Sequence, residues 1–256
     1  MYRVTIDKET IAQMPVVVPA GHIHLIDSIS MVKSAVEALR HGDVIGFDTE
    51  TKPSFKRGQR NHVSLLQLAT DDDCFLFRLH KIGLPDPLVE LLEDPDVCKV
   101  GISTHDDFHM LQRDYTVQPA GFVELQQMAK EFQIAEMSLQ KIYAILFGEK
   151  ISKSQRLTNW QAESLTEAQQ QYAALDAWAC IRIYRYLRSG AFDPTTSPYW
   201  HELTDLEAQN HGIRPESLPP KPEKKKVEKK STRRRSTGRP RRRRSISHKK
   251  QEKQEQ

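Results

Sequence analysis

The spacing of apolar residues constrains this chain more than any other feature. "DVIGFDTET", "HVSLLQLAT" and "CFLFRL" are short runs rich in branched and aromatic residues, the last two parted by the turn "DDD". Such runs read as strands of a hairpin-linked sheet. Upstream of them, "DSISMVKSAVEALRHG" reads as a helix with Asp27 or Ser28 as its cap, Met31, Val32, Ala35, Val36 and Leu39 as its apolar stripe, and Gly42 just past its end. Downstream the pattern alternates: helical "LVELLED", strand "VCKVGIS", a helix start at "THDDFHML", strand "GFVELQ", then the helices "EMSLQKIYAILFG" and "TEAQQQYAALDAWACIRIYRYLRSG". Hairpin strands followed by helix–strand alternation predict one α/β domain with a mixed five-stranded sheet flanked by helices. Ligands of such sheets gather at strand ends.

Charge divides the chain in two. Residues 221–256 hold 17 Lys/Arg against 4 Glu, a net of +13, whereas residues 1–220 hold 21 Lys/Arg against 30 Asp/Glu, a net of −9. The basic stretch has Val227 and Ile246 as its branched aliphatics and no aromatic, so it cannot bury enough surface to offset ordering entropy. The expected organisation is therefore an N-terminal extension (1–25), a domain (26–190), a Pro-containing linker that packs on the domain or leaves it (191–220), and a disordered basic tail (221–256). Like-charge blocks of this kind meet polyanions through counterion release, or serve only to solubilise. Cys74, Cys98 and Cys180 are widely spaced and form no C-x-x-C, which argues against a disulfide framework or a structural zinc site. No stretch has the length of a membrane span and the N-terminus lacks a signal-peptide pattern, so a soluble, intracellular protein is expected.

The carboxylates carry the chemistry. Asp48 and Glu50, two apart at the end of the first strand, project to the same face. They repel one another unless a cation lies between them; the alternative is an acid pair that only shapes a turn. Asp176 falls inside the helical stripe Tyr172, Leu175, Ala179, Cys180, Ile183 that should face the sheet. A carboxylate there must be neutralised, paired with a Lys or Arg, or bound to a metal. Tyr172 lies one turn before it on the same face.

"HDDFH" places His105 and His109 four apart, the spacing of a helical zinc pair, with Asp where zinc proteases have Glu. The shorter acid would hold a catalytic water poorly and no third ligand follows by spacing, so both histidines read better as surface or structural groups. The aspartates between them follow a strand directly, at the edge where Asp48 and Glu50 project. One should face the site and the other should point away.

"FDTE", "KVGISTHDDFHML" and "YAALD" resemble, in order and spacing, the three motifs of the DEDD superfamily of 3′-5′ exonucleases in its tyrosine-bearing branch, ribonuclease D-like and Werner syndrome exonuclease-like. The resemblance spans residues 26 to 188. It implies a ribonuclease H-like fold, two divalent cations, Mg²⁺ or Mn²⁺, and stepwise hydrolysis of nucleic acid from its 3′ end with release of 5′-mononucleotides. Carried over by position, it implies Asp48, Glu50, Asp107 and Asp176 as metal ligands and Tyr172 as a catalytic residue that orients the attacking water. Asp107, rather than Asp106, has the family's spacing from "KVG" and from Leu111. Thr49, Gln67, Ser103, Arg239 and Arg241 are the candidate nucleic-acid contacts. Hard cations prefer oxygen ligands, and two of them about 3.5–4 Å apart can activate a water and stabilise a leaving oxygen.

The partner implied is nucleic acid with a 3′ end. "STGRPRRRR" resembles an AT-hook, with Thr237 standing where a basic residue would precede the glycine, and this favours DNA; in a eukaryote the same run reads equally as a nuclear-localisation signal. The alternatives are ribonuclease D-like processing of RNA ends and a non-catalytic nucleic-acid-binding module. No G-x-x-x-x-G-K-[ST] occurs, so no fused helicase or ATPase is expected. Location would follow substrate: cytoplasmic and nucleoid-associated in a bacterium, nuclear in a eukaryote.

Overall fold

The computed structural model describes residues 2–19, 21–54, 61–204 and 206. The chain opens with β1 (Tyr2–Val4), α1 (Lys8–Gln13), β2 (His22–Ile26) and α2 (Val32–Arg40). Three antiparallel-linked strands follow, β3 (Val44–Thr51), β4 (Val63–Ala69) and β5 (Asp73–Phe77), then the helices α3 (Leu79–Ile82) and α4 (Asp86–Glu93). The second half alternates: β6 (Cys98–Gly101), α5 (Thr104–Asp114), β7 (Phe122–Glu124), α6 (Leu125–Glu131), α7 (Leu139–Phe147), α8 (Glu167–Arg188) and β8 (Trp200–Glu202).

Among the described residues the main sheet has six strands, in the order β2-β5-β4-β3-β6-β7. β3, β4 and β5 pair antiparallel, while β2–β5, β3–β6 and β6–β7 are parallel. The sheet is therefore mixed, with one strand more than the five expected. The additional strand is β2, "HIHLI", an edge strand whose histidines and half-exposed face conceal its alternation. A separate two-stranded sheet pairs β1 with β8. The segments expected as N-terminal extension and linker thus contribute β1, α1, most of β2, and β8. The tail at 221–256 lies outside the described residues.

Alternation along the strands sorts the core into two layers. Val44, Leu65, Ala69, Leu76 and Val100 face α6, α7 and α8. Ile45, Phe47, Leu66, Leu68 and Phe77 face α2 and α4. The 22-residue α8, about 33 Å long at 1.5 Å per residue, starts at a capping box in which Thr166 and Gln169 satisfy each other's backbone donors. It lies across the centre of the sheet, and Gly46 sets how closely. A Cβ there would stand 2.0 Å from the Ala177 carbonyl oxygen, so only glycine lets the backbones of β3 and α8 meet.

Candidate metal centre

That close approach brings the carboxylates together. β3 is buried from Val44 to Phe47 and half-buried from Asp48 onward, so the strand leaves the core where its acids begin. Asp48 and Glu50 project on the α8 side, and Asp176 sits on α8 next to Ala177. Side-chain oxygens of Asp48, Glu50 and Asp176 all lie within 4.8 Å of one another. Asp176 is only 7% exposed. Three carboxylates at that range, one buried and two half-buried, repel one another strongly.

Asp107 arrives from the first turn of α5, and Thr49, between the two strand acids, donates its hydroxyl proton to the Asp107 carboxylate. The turn carrying it is held by Glu124 at the end of β7. Ser103 precedes α5 in the left-handed region, φ 58°, and does not cap the helix with its side chain. Glu124 takes over the capping: its carboxylate accepts from the backbone N–H of Ser103 (3.0 Å) and Thr104 (2.8 Å) and from the Thr104 hydroxyl (2.9 Å). Such bonds satisfy the orphan donors of a helix start.

The protonation of these acids follows from their crowding. Burial, and then the charges of Asp176, Asp107 and Glu50, raise the Asp48 carboxyl well above the usual range. Burial and the charges of Asp176 and Asp107 push Glu50 up to about 8. Asp107 and Asp176 are each raised to about 7 by burial, opposed by the Thr49 hydroxyl at Asp107 and by the Tyr172 phenol at Asp176. Without a cation the cluster therefore holds protons near neutrality. Hard oxygen donors, close spacing and proton-loaded carboxylates together fit a divalent-cation site.

Tyr172 stands one turn before Asp176, near enough for its phenol to favour the ionised carboxylate, its ring packed 6.0 Å from the fully buried Trp160. Burial and the three neighbouring carboxylates raise its phenol, which stays protonated in this setting. A phenol so raised can donate a hydrogen bond and is unsuited to act as a base.

The other candidate residues fall out differently. Thr49 has its hydroxyl committed to Asp107. Gln67 is 0% exposed and opposite Asp48 in the β3–β4 register, so burial removes it from direct contact with nucleic acid, contrary to expectation. Ser103 is half-buried, its hydroxyl accepting from the Gln126 amide at 2.7 Å. Arg239 and Arg241 lie outside the described residues. His105, His109 and Asp106 are exposed, and among the described residues the potential metal cluster is the Asp48, Glu50, Asp176 group, not the histidine pair. Sequence reasoning passed over Glu124 because its role depends on the left-handed turn at Ser103. It also passed over Lys153 and Arg156, whose charges reach Asp176 and Glu50, although the basic spacing of "KISKSQR" is visible in the chain.

The sheet order and the acid cluster define a nuclease domain of the ribonuclease H-like class. A family model described as 3′-5′ exonuclease matches residues 23–190, and the chain belongs to that family, within the DEDD superfamily. It is 38% identical over 155 residues to the mouse bifunctional 3′-5′ exonuclease/ATP-dependent helicase WRN, covering 58% of this chain and 11% of that protein. It is 29% identical over 165 residues to a ribonuclease D of Gluconacetobacter diazotrophicus, covering 64% of this chain and 42% of that one. The chain thus spans less than two thirds of the length of these curated relatives. Among solved structures, the Aedes aegypti Nibbler EXO domain superposes with a TM-score of 0.60 at 25% identity, over 75% of this chain and 95% of that one. A Trypanosoma brucei RNase D in complex with RNA U12 shares the fold, with a TM-score of 0.60 at 20% identity over 69% of this chain and 67% of that one.

Proposed function

We propose that this chain is a divalent-metal-dependent 3′-5′ exonuclease that hydrolyses phosphodiester bonds and releases 5′-mononucleotides, with DNA as the favoured substrate. The observation that carries the reading is the convergence of Asp48, Glu50 and Asp176 within 4.8 Å, beside Asp107 and Tyr172. Asp48, Glu50, Asp107 and Asp176 hold the cations, Mg²⁺ or Mn²⁺. When bound, the cations supply Lewis-acid chemistry: activation of the attacking water and stabilisation of the leaving oxygen.

The chain's own residues set the stage. Thr49 holds Asp107 by its hydroxyl, and Glu124 holds the turn behind it. Tyr172 keeps its proton for the Asp176 carboxylate, and its phenol oxygen accepts from the attacking water and orients it. Arg156 and Lys153 offset the excess negative charge of the site, Arg156 favouring ionised Glu50 and Lys153 ionised Asp176. The basic stretch 221–256, at net +13, tethers the enzyme to polyanions.

A denaturing-gel time course on 5′-labelled single-stranded RNA and 3′-recessed DNA, with Mg²⁺, Mn²⁺ or EDTA, tests the assignment. A ladder shortening one nucleotide at a time, lost with EDTA, is expected. Folded protein that shifts nucleic acid but yields no ladder on either substrate would overturn it in favour of a binding module. A ladder on RNA alone would support the second reading, ribonuclease D-like end processing, for which the similarity to a ribonuclease D speaks.

A further inference from the structure

A cavity lined by chemistry opposite to that of the carboxylates opens near them, its Lys153 close enough to act on Asp176. It encloses about 720 Å³, and Lys8 of α1, Lys141 of α7, and Lys150, Lys153 and Arg156 of the loop before α8 line it together with Ser154. No acid lines it among the described residues. Lys141 is paired with Glu136 at 2.9 Å, whereas Lys8, Lys153 and Arg156 make no ion pair among the described residues. Like charges gathered around one concave surface focus a positive potential and attract phosphate.

The trough is built, not incidental. Asp7 caps α1 by accepting from the Thr10 N–H at 2.6 Å. The segment after α1 is fastened to the loop, with the Lys150 N–H donating to the Pro15 carbonyl (2.8 Å) and the Val17 N–H to the Lys150 carbonyl (3.0 Å). The far end of the loop is anchored by Arg78, almost fully buried, whose guanidinium donates to the Glu163 carbonyl at 2.7 Å, and by Gln169, which donates to the Thr158 hydroxyl at 3.0 Å. Its basic side chains are thus held on a fixed frame. The trough also leads somewhere: Ser154 lines it and lines the neighbouring groove that contains Tyr172.

We propose that this trough holds the phosphate backbone of the substrate strand on the side leading away from the end being cut, with Lys8 as one of its phosphate contacts. The inference rests on the exonuclease reading for its direction and extends it to α1, which lies outside the residues matched by the family model. Carboxylates that gather cations and a trough that gathers phosphates form adjoining halves of one path.

Lysine acetylation of the full chain, with and without a single-stranded DNA decanucleotide in EDTA, tests this by mass spectrometry at each lysine. Lys8, Lys150 and Lys153 should be protected several-fold by the strand, whereas Lys33, exposed on α2 on the opposite face of the sheet, should not. In parallel, Lys8→Glu should weaken decanucleotide binding about tenfold at low salt and make the salt slope shallower by roughly 0.7, the single-strand value for one phosphate contact. An acid at the first position of α1 suits the helix dipole, so this variant keeps its fold. Lys33→Glu makes the same change in net charge and serves as the control. Unprotected Lys8, or equal salt slopes for Lys8→Glu and Lys33→Glu, overturns the proposal. A strand that protects the trough but is not shortened when Mg²⁺ or Mn²⁺ is added rejects the nuclease reading and leaves the trough standing.

Discussion

Asp107 and Tyr172 act on the same cluster in opposite ways, and conservative substitutions separate them. Asp107→Asn removes a half-buried carboxylate and, on the proposed function, a metal ligand, while keeping the shape. Nucleotide release should fall about 100- to 1000-fold, the range for losing one strong electrostatic group in an active site, and the metal-free protein should melt no lower than the parent. Fully retained activity would sink the ligand assignment. Tyr172→Phe removes the donor that opposes burial at Asp176, so that carboxyl should rise further above about 7. The acid limb of the pH–rate profile should then move to higher pH, whereas a purely packing role for the phenol would leave it in place. The face-sharing of Asp48 and Glu50 and the buried position of Asp176 were legible from periods of two and of three to four. The capping by Glu124 was not, because it depends on a backbone turn at Ser103 that no spacing reveals. Nor was the burial of Gln67, since a polar residue in a strand gives no sign that its face of the sheet is covered.

At the scale of elements, Gly46 governs the register between β3 and α8. Gly46→Ala would drive a methyl group into the Ala177 carbonyl and should cost about 1–3 kcal/mol, the usual range for overpacking. Because Asp176 adjoins Ala177, the same change should raise the Mg²⁺ concentration needed for half-maximal activity. Chemical denaturation and a metal titration on one preparation check both, and a destabilised variant with unaltered metal dependence would uncouple the contact from the site. The 22-residue α8 announces itself through many turns of periodicity, and the nine-residue α7 through its dense apolar run. β2 did not, being an edge strand with histidines on its open side, and α6 did not, because it begins at Leu125 inside the run "GFVELQ" that reads as strand. Short elements at sheet edges take their conformation from neighbours rather than from local pattern.

For the whole molecule, the acid cluster makes stability depend on pH. In the fold Asp107 and Asp176 titrate at about 7 and Glu50 at about 8, against 3.8 and 4.5 as their ordinary values. The folded state therefore binds more protons than the unfolded chain above about 4, so stability falls as pH rises through about 7 and 8, and the Asp48 carboxyl, raised well above its ordinary value, adds to the loss. In EDTA, the melting temperature should decline from pH 5 to pH 8. Saturating Mg²⁺ should abolish most of that decline, and a flat metal-free profile would contradict the cluster's electrostatics. Deleting residues 221–256 should weaken binding to long nucleic acid and flatten its salt dependence while sparing metal-dependent cleavage of short oligonucleotides; an unchanged salt slope would argue against a tether. The charge segregation behind this was plain in the sequence, as was the α/β class.

The pairing of β1 with β8 joins Tyr2 to Glu202, nearly the full span of the domain. Contacts between such distant residues form late, because a long loop must close before they are rewarded. On the ribosome every acid of the site, the last being Asp176 on α8, emerges before β8 does. The catalytic sheet can therefore assemble while the final clasp is still being made. That clasp should be the slowest part to close and the first to open, with the amides of β1 and β8 exchanging with solvent well ahead of those in β3 and β4.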